Sequence, residues 1–509
     1  MTTGIHHVTL ITRKVQANVD FYAGFLGLRL IKRTGGYEDS EQLHLFYGDQ
    51  LGSPGSVVSF LVWEDGASGR TGAGQVGELA FAVPVSSIGD WLTRAMSAHI
   101  PLEGPKHEFG EPVLRLRDPD GVIVKLVGVD MPAGAALPDP IAPTRIRAVT
   151  LLTEKPEETL EFAKRFGYRP GPVEGNTQRM YSETDAIDVR NVRGYVPSIP
   201  GAGIFDHVAF RAADVGAVRQ MRLDLKGEEG VTNVHDRKYF LSLYVREPGG
   251  ILYEYATDEP GFTVDEEAAH LGETLFIPAN ALTPAEDLKI ILPQFALPGE
   301  ERNPMRDLPF VHRFHTPEEP DGSVIVLLHG TGGNESDLMP LAHRINPHAT
   351  LLGVRGRSTE EGVGRWFRRL NMLSFDQDDI RSEAEAFAAF MHEAVRAYGL
   401  DAARITAMGY SNGANFAAAV MGLYPDVIRQ AILLRAIPVL DDLPQADLAG
   451  AKVLMLTGAS DPYGTNTPKL AAWFKDSGAD LDEQILETGH QLTPDDLARA
   501  TQWMKAHHQ

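Results

Sequence analysis

The chain has 509 residues and no cysteine, with 47 Lys and Arg against 69 Asp and Glu, a formal net charge of −22. The length exceeds one compact domain, and an apolar share of 43% excludes disordered and fibrous classes. The acidic balance repels nucleic acid and anionic lipid. Without cysteine, disulfides, thiolate metal sites and thiol nucleophiles are excluded. The opening MTTGIHHVTLIT lacks the basic and apolar regions of a signal peptide, and no stretch is apolar enough to span a membrane. A cytoplasmic protein with no nucleic-acid or membrane partner is expected.

In chain order, four similar strand-like segments open at Ile5, Val76, Ile146 and Phe205. An amphipathic helical stretch follows each. The first, 18–25, runs into Gly27 and the third, 157–166, into Gly167, where left-handed caps are expected. Turns at Ser53-Pro-Gly55, Asp118-Pro-Asp-Gly121 and Glu247-Pro-Gly-Gly250 then join strands, while the third unit shows no equivalent turn. The reading is an α+β array of four βαβββ modules, with modules one and two paired over 1–135 and three and four over 136–260. Residues 261–308 alternate apolar pieces with Pro- and Glu-rich segments and read as a packing tail and a linker. From Gly322, continuous apolar strands (323–328, 404–408, 452–456) alternate with helices. A mainly parallel, doubly wound α/β domain over 309–509 is expected.

Setting the four modules in register exposes one chemical asymmetry. The central strand position is His7, Glu78, Ala148 and His207 in turn. After the last turn the matching position is Glu254 in module four, Lys125 in module two, and Ser59 or Phe60 in module one. If modules one and four share a concave sheet, His7, His207 and Glu254 meet there. Two imidazoles and one carboxylate form the facial triad that leaves open positions on non-haem Fe(II). The other pair offers Ala148, Glu78 and Lys125, which is no metal site.

Gly4-Ile-His-His-Val-Thr-Leu-Ile-Thr12, Asn18-Val-Asp-Phe-Tyr22, Tyr47-Gly-Asp49, Gly52-Ser-Pro-Gly55, Asp236-Arg-Lys-Tyr-Phe240 and Tyr244-Val-Arg-Glu-Pro-Gly-Gly250 carry a resemblance. With them, residues 1–295 resemble the vicinal oxygen chelate superfamily, and within it the dioxygenases that cleave hydroquinone rings. That resemblance implies His7, His207 and Glu254 as ligands of Fe(II), with Mn(II) as the alternative. It implies an aromatic diol and dioxygen as substrates, and places His6, Arg237 and Tyr244 on the substrate side. Catechol-type cleavage and a non-catalytic quinone-binding module are the competing readings. A glyoxalase-like site would need a fourth protein ligand, which neither Ser59 nor Phe60 supplies.

In the second half, Gly409-Tyr-Ser-Asn-Gly413 stands between an apolar strand and a helix, as a nucleophile elbow requires. Asp461 follows the strand 452–456 and His490 comes later, giving the order Ser411, Asp461, His490. His329-Gly-Thr-Gly-Gly333 follows the first strand, so the amides of Thr331 and Asn412 are the candidate oxyanion donors. No Gly-Lys-Ser/Thr follows that glycine stretch, which excludes a phosphate-binding loop. These motifs resemble the small phospholipase/carboxylesterase family of α/β-hydrolases and imply a small ester as substrate. The expectation for the whole chain is a fusion of a ring-cleaving dioxygenase and a serine carboxylesterase. Assembly into a homo-oligomer is left open.

Overall fold

A computed structural model describes residues 2–228, 230–302, 306–371 and 374–507. The chain divides into two compact units, Met1–Ala285 with Phe295–Glu301, and Glu286–Gln294 with Arg302–Gln509. The segment read as tail and linker is therefore divided between the units, and its residues 303–305 lie outside the described residues.

The first unit contains four strand–helix–three-strand modules arranged as two concave sheets. Module one runs Ile5–Thr12, a helix Val15–Val19 continued by a π-helical turn Asp20–Phe25, then Arg29–Gly35, Leu43–Gly48 and Val57–Val62. Its first strand pairs antiparallel with Phe205–Ala212 of module four, so one sheet holds modules one and four. In the other, Gln75–Val83 pairs antiparallel with Arg145–Thr153, uniting modules two and three. The expected pairing within 1–135 and within 136–260 is thus corrected. Each of those halves gives one module to each sheet, because the joining edge is the antiparallel pair of first strands.

Alternation along the strand positions the chemistry. Val8 and Leu10 are fully buried core residues, while His7 and Thr9 line the hollow of the first sheet. In module three the last two strands are joined by a turn without Pro or Gly. There Ser182 Oγ accepts the amides of Thr184 and Asp185, both at 3.0 Å. Leu275–Phe276 adds a parallel strand beside Arg29–Gly35. Lys32 on that strand is buried against Asp265 and Glu266, which ties residues 265–266 to module one.

The second unit is a seven-stranded sheet in which His312–His315 is the antiparallel edge and the other six strands are parallel. Its long helix, Gln377–Tyr398, starts at Asp376, whose side chain accepts the amides of Asp378 and Asp379. It ends at Gly399 in the left-handed region. No helix among the described residues is long and apolar enough to cross a membrane.

Candidate metal centre and nucleophile

The strand register brings the three ligand-type residues of the first sheet to one point. His7 lies opposite Ala209 and Thr9 opposite His207, while Ala209 pairs with Glu254 on the parallel neighbour. Glu254 Oε2 is 3.0 Å from Nε2 of both His7 and His207, and those two nitrogens are 3.3 Å apart. All three side chains are buried, and both Glu254 oxygens lack a partner with hydrogen-bond geometry. Burial works against a charge on Glu254, yet His7 and His207 hold its carboxyl well below the usual range. The ligand atoms of the three residues all lie within 4.8 Å of one another, a donor set that could hold a divalent cation.

The outward nitrogens are engaged too. His207 Nδ1 meets the Asp206 carboxylate at 2.6 Å, and His7 Nδ1 meets His6 Nδ1 at 2.9 Å. With Nδ1 carrying the proton, each Nε2 is left as a donor of electrons to the centre. His6 stands beside His7, with its ring 5.1 Å from that of Phe240, which lines the cavity over the triad. An irregularity in pairing falls between Ile5 and His7, where the usual alternation of faces is interrupted. Burial, with His7 beside it, lowers His6 to about 3, so it is a neutral acceptor.

A cavity of about 350 Å³ opens over the triad. Phe46, Leu61, Trp63 and Phe240 give it an apolar arc, and Tyr37, His44, Arg237 and Tyr244 a polar one. Arg237 and Tyr244 thus both line this cavity. The Arg237 guanidinium lies over the rings of Tyr37 and Tyr244 at 5.2 and 5.6 Å and bonds Glu38 at 3.1 Å. Burial and the charge of Glu254 raise the Tyr244 phenol well above its ordinary value, so it keeps its proton.

In the second unit the elbow is as sharp as its motif demands. Ser411 has φ +50°. A Cβ on Gly413 would sit 2.0 Å from the Leu328 carbonyl oxygen, and one on Gly409 2.6 Å from the Ala414 nitrogen, so both positions require glycine. Ser411 Oγ is 3.0 Å from His490 Nε2, and His490 Nδ1 is 2.9 Å from Asp461 Oδ2. Asp482, on the following strand Asp480–Leu486, is exposed and bonds Gln484. The Asn412 side chain accepts the Trp366 amide at 2.9 Å, which fixes the start of the helix Asn412–Leu423. In the upstream loop the Gly332 and Gly333 amides bond Gly364 and Gly330 carbonyls, with Thr331 exposed between Gly330 and Gly332. His329 is buried beneath that loop, its Nε2 accepting the Gly356 amide.

A family description covering glyoxalases, bleomycin resistance proteins and dioxygenases matches residues 4–126. MhqO of Bacillus subtilis, an inferred ring-cleaving dioxygenase, is 36% identical over 293 residues, 55% of this chain and 92% of its own. The first half of the chain belongs to this superfamily, among its ring-cleaving dioxygenases. The chlorohydroquinone/hydroquinone 1,2-dioxygenase of Sphingobium indicum is 31% identical over 288 residues, 53% of this chain and 89% of that one. A crystal structure of an inferred dioxygenase from Bacillus subtilis is 34% identical, with TM-score 0.55, covering 58% of this chain and 98% of its own. The second half is 39% identical over 185 residues to MhqD of Bacillus subtilis, an inferred hydrolase, 36% of this chain and 92% of that one. A dioxygenase-family half is thus fused to an α/β-hydrolase half.

Within the dioxygenase half, Asp206, Thr9 and His44 were missed by the motif reading. Thr9 Oγ1 is 3.0 Å from His207 Nε2 and 2.9 Å from Ser59 Oγ, which is 3.0 Å from His44 Nε2. Pairing of Thr9 with Ser59 settles the module-one position as Ser59. A carboxylate next to a ligand histidine was a readable signal for Asp206. Nothing in the sequence marked His44. The second sheet's hollow is filled with ions: Glu78 bonds Arg115, Lys125 and Arg190, and Arg179 bonds Asp188 and Glu111.

Proposed function

We propose that the chain is a bifunctional enzyme, an Fe(II)-dependent dioxygenase that cleaves hydroquinone-type rings, joined to a serine carboxylesterase that hydrolyses small esters. The observation that carries the first activity is the meeting of His7, His207 and Glu254 under a cavity of about 350 Å³ with an apolar arc and one guanidinium. The similarity to a chlorohydroquinone/hydroquinone dioxygenase supports a para diol over a catechol. Bound ferrous iron would supply the redox and Lewis-acid chemistry that lets dioxygen react with the ring.

The chain's own groups do the rest. Asp206 and His6 hold the two ligand imidazoles in the tautomer with Nε2 free. Phe46, Leu61, Trp63 and Phe240 grip the ring faces and exclude water. Arg237 supplies a permanent positive charge for the oxyanion that ring activation creates. Tyr244 holds a proton at its phenol oxygen beside that charge, ready to be donated.

In the hydrolase half, Ser411 Oγ attacks the ester carbonyl while His490 Nε2 takes its proton, and Asp461 holds the imidazolium at Nδ1. The Thr331 and Asn412 amides receive the oxyanion. His490 then returns the proton to the leaving alcohol, and water repeats the sequence on the acyl-enzyme. The hydrolase could free a diphenol from an aryl ester or open an ester or lactone formed after ring cleavage.

Two assays on one preparation test the pairing. Chelation of metal should abolish oxygen uptake with hydroquinone and spare hydrolysis of a p-nitrophenyl ester, and Ser411→Ala should do the reverse. Ester hydrolysis that survives Ser411→Ala would remove the nucleophile, and oxygen uptake that survives complete chelation would remove the metal.

A further inference from the structure

The strand Gln430–Leu434 lies in the sheet between the strand that leads to Ser411 and the strand that leads to Asp461. Its last carbonyl, on Leu434, accepts the Ser411 amide at 2.8 Å. The next residue, Arg435, has φ +59° and is 2% exposed, an unusual combination for a long charged side chain. Its amide donates to the Leu456 carbonyl at 2.8 Å, on the strand before Asp461.

The guanidinium then reaches the third member of the triad. Nε donates to the Gly489 carbonyl at 2.9 Å and Nη2 to the Gln491 carbonyl at 3.0 Å, the two carbonyls that flank His490. Asp496 holds the fork from the other side, taking Nη1 at 2.7 Å and Nη2 at 2.9 Å. Thr493 closes the ring, its amide and hydroxyl donating to Asp496 Oδ2 at 2.8 and 2.9 Å. These four bonds draw on the five fixed N–H donors of a planar fork, whereas an ammonium has three donors and cannot add a two-point grip on the carboxylate to the two carbonyls. Replacing a buried ion pair by an apolar pair of similar volume is often neutral or stabilising, so the pair is weak evidence for a purely structural role.

We propose that Arg435 is the positioning residue of the hydrolase triad. Residues 434–435 touch all three triad-bearing segments, and the guanidinium sets the His490 loop so that its imidazole spans 3.0 Å to Ser411 and 2.9 Å to Asp461. This rests on the reading of Ser411, His490 and Asp461 as the hydrolytic triad. Arg435 touches no substrate, and its effect passes through the His490 backbone.

Three variants of the full chain test it with a p-nitrophenyl ester. Arg435→Lys keeps the charge on Asp496 and loses the fork. Asp496→Asn keeps the shape and loosens the grip. Arg435→Met with Asp496→Leu removes the pair without stranding a charge. In folded variants kcat should fall about 100-fold or more, the scale of a misplacement near 1 Å, with KM changed by no more than about threefold. The pH profile of kcat/KM and the labelling rate of Ser411 by a fluorophosphonate should shift with it. A folded Arg435→Lys with unchanged kcat and pH profile would overturn the proposal. So would loss of the fold in all three, since Arg435 would then serve stability alone. If Ser411→Ala keeps full hydrolysis, the triad reading has failed instead.

Discussion

The Nε2 atoms of His7 and His207 face each other at 3.3 Å although the two residues are 200 positions apart in the chain. Nothing local brings them together. They meet because the first strands of modules one and four pair antiparallel, with Thr9 opposite His207 and His7 opposite Ala209. Two buried imidazoles and a carboxylate at such separations are a ligand set that could hold one metal ion.

Asp206 anchors the outward face of His207, so Asp206→Ala should weaken metal binding by about 10- to 100-fold, the usual effect of removing an orienting carboxylate. Competition against a fluorescent chelator, with Co(II) as well as Fe(II), measures this directly. Unchanged affinity would show that the imidazole is held by packing alone.

His6 meets His7 through its Nδ1 at 2.9 Å. His6→Ala should therefore lower metal affinity while leaving the KM for the diol nearly unchanged once the site is saturated with metal. Normal metal affinity together with a raised KM would place His6 on the substrate side.

Glu78 gives a pH test in the ion-filled second hollow. Burial alone would raise its carboxyl, but Lys125 and Arg190 overcome burial and bring it down to about 2. A depressed carboxylate contributes stability that is complete above pH ~4.5 and is lost as pH falls through about 2, here on the order of 3 kcal/mol. Urea melts of the full chain should show wild type well above Glu78→Gln at pH 6, with the gap narrowing as the pH falls below ~4.5. A gap that does not change with pH would contradict the ionised network.

At the elbow, Gly413→Ala would place a methyl 2.0 Å from the Leu328 carbonyl oxygen, with backbone on both sides of the clash. The elbow must shift, and ester hydrolysis should fall about 100-fold or more. Full activity in this variant would mean that the turn is not as tight as it stands.

The modules and both sets of chemical residues were legible because each rests on local pattern. Repeated strand openings put His7 and His207 in register, and Gly409-Tyr-Ser-Asn-Gly413 needs only its flanking strand and helix. What was illegible depends on register or on long-range contact. The choice between Ser59 and Phe60 waited on the pairing with Thr9. The module-three turn was hidden because Ser182 side-chain bonds replace the Pro-Gly pattern. Arg435 left one faint mark, a single charge inside the apolar run 431–440, but Gly489, Gln491 and Asp496, which its guanidinium grips, lie more than fifty residues on.

The most direct test of the account is oxygen uptake by the full chain after anaerobic loading with Fe(II), with hydroquinone, methylhydroquinone and catechol compared side by side. Uptake with the para diols, together with a new semialdehyde absorbance and its loss in Glu254→Gln, is the predicted result. No uptake with any of the three, in protein shown to hold iron, would contradict it.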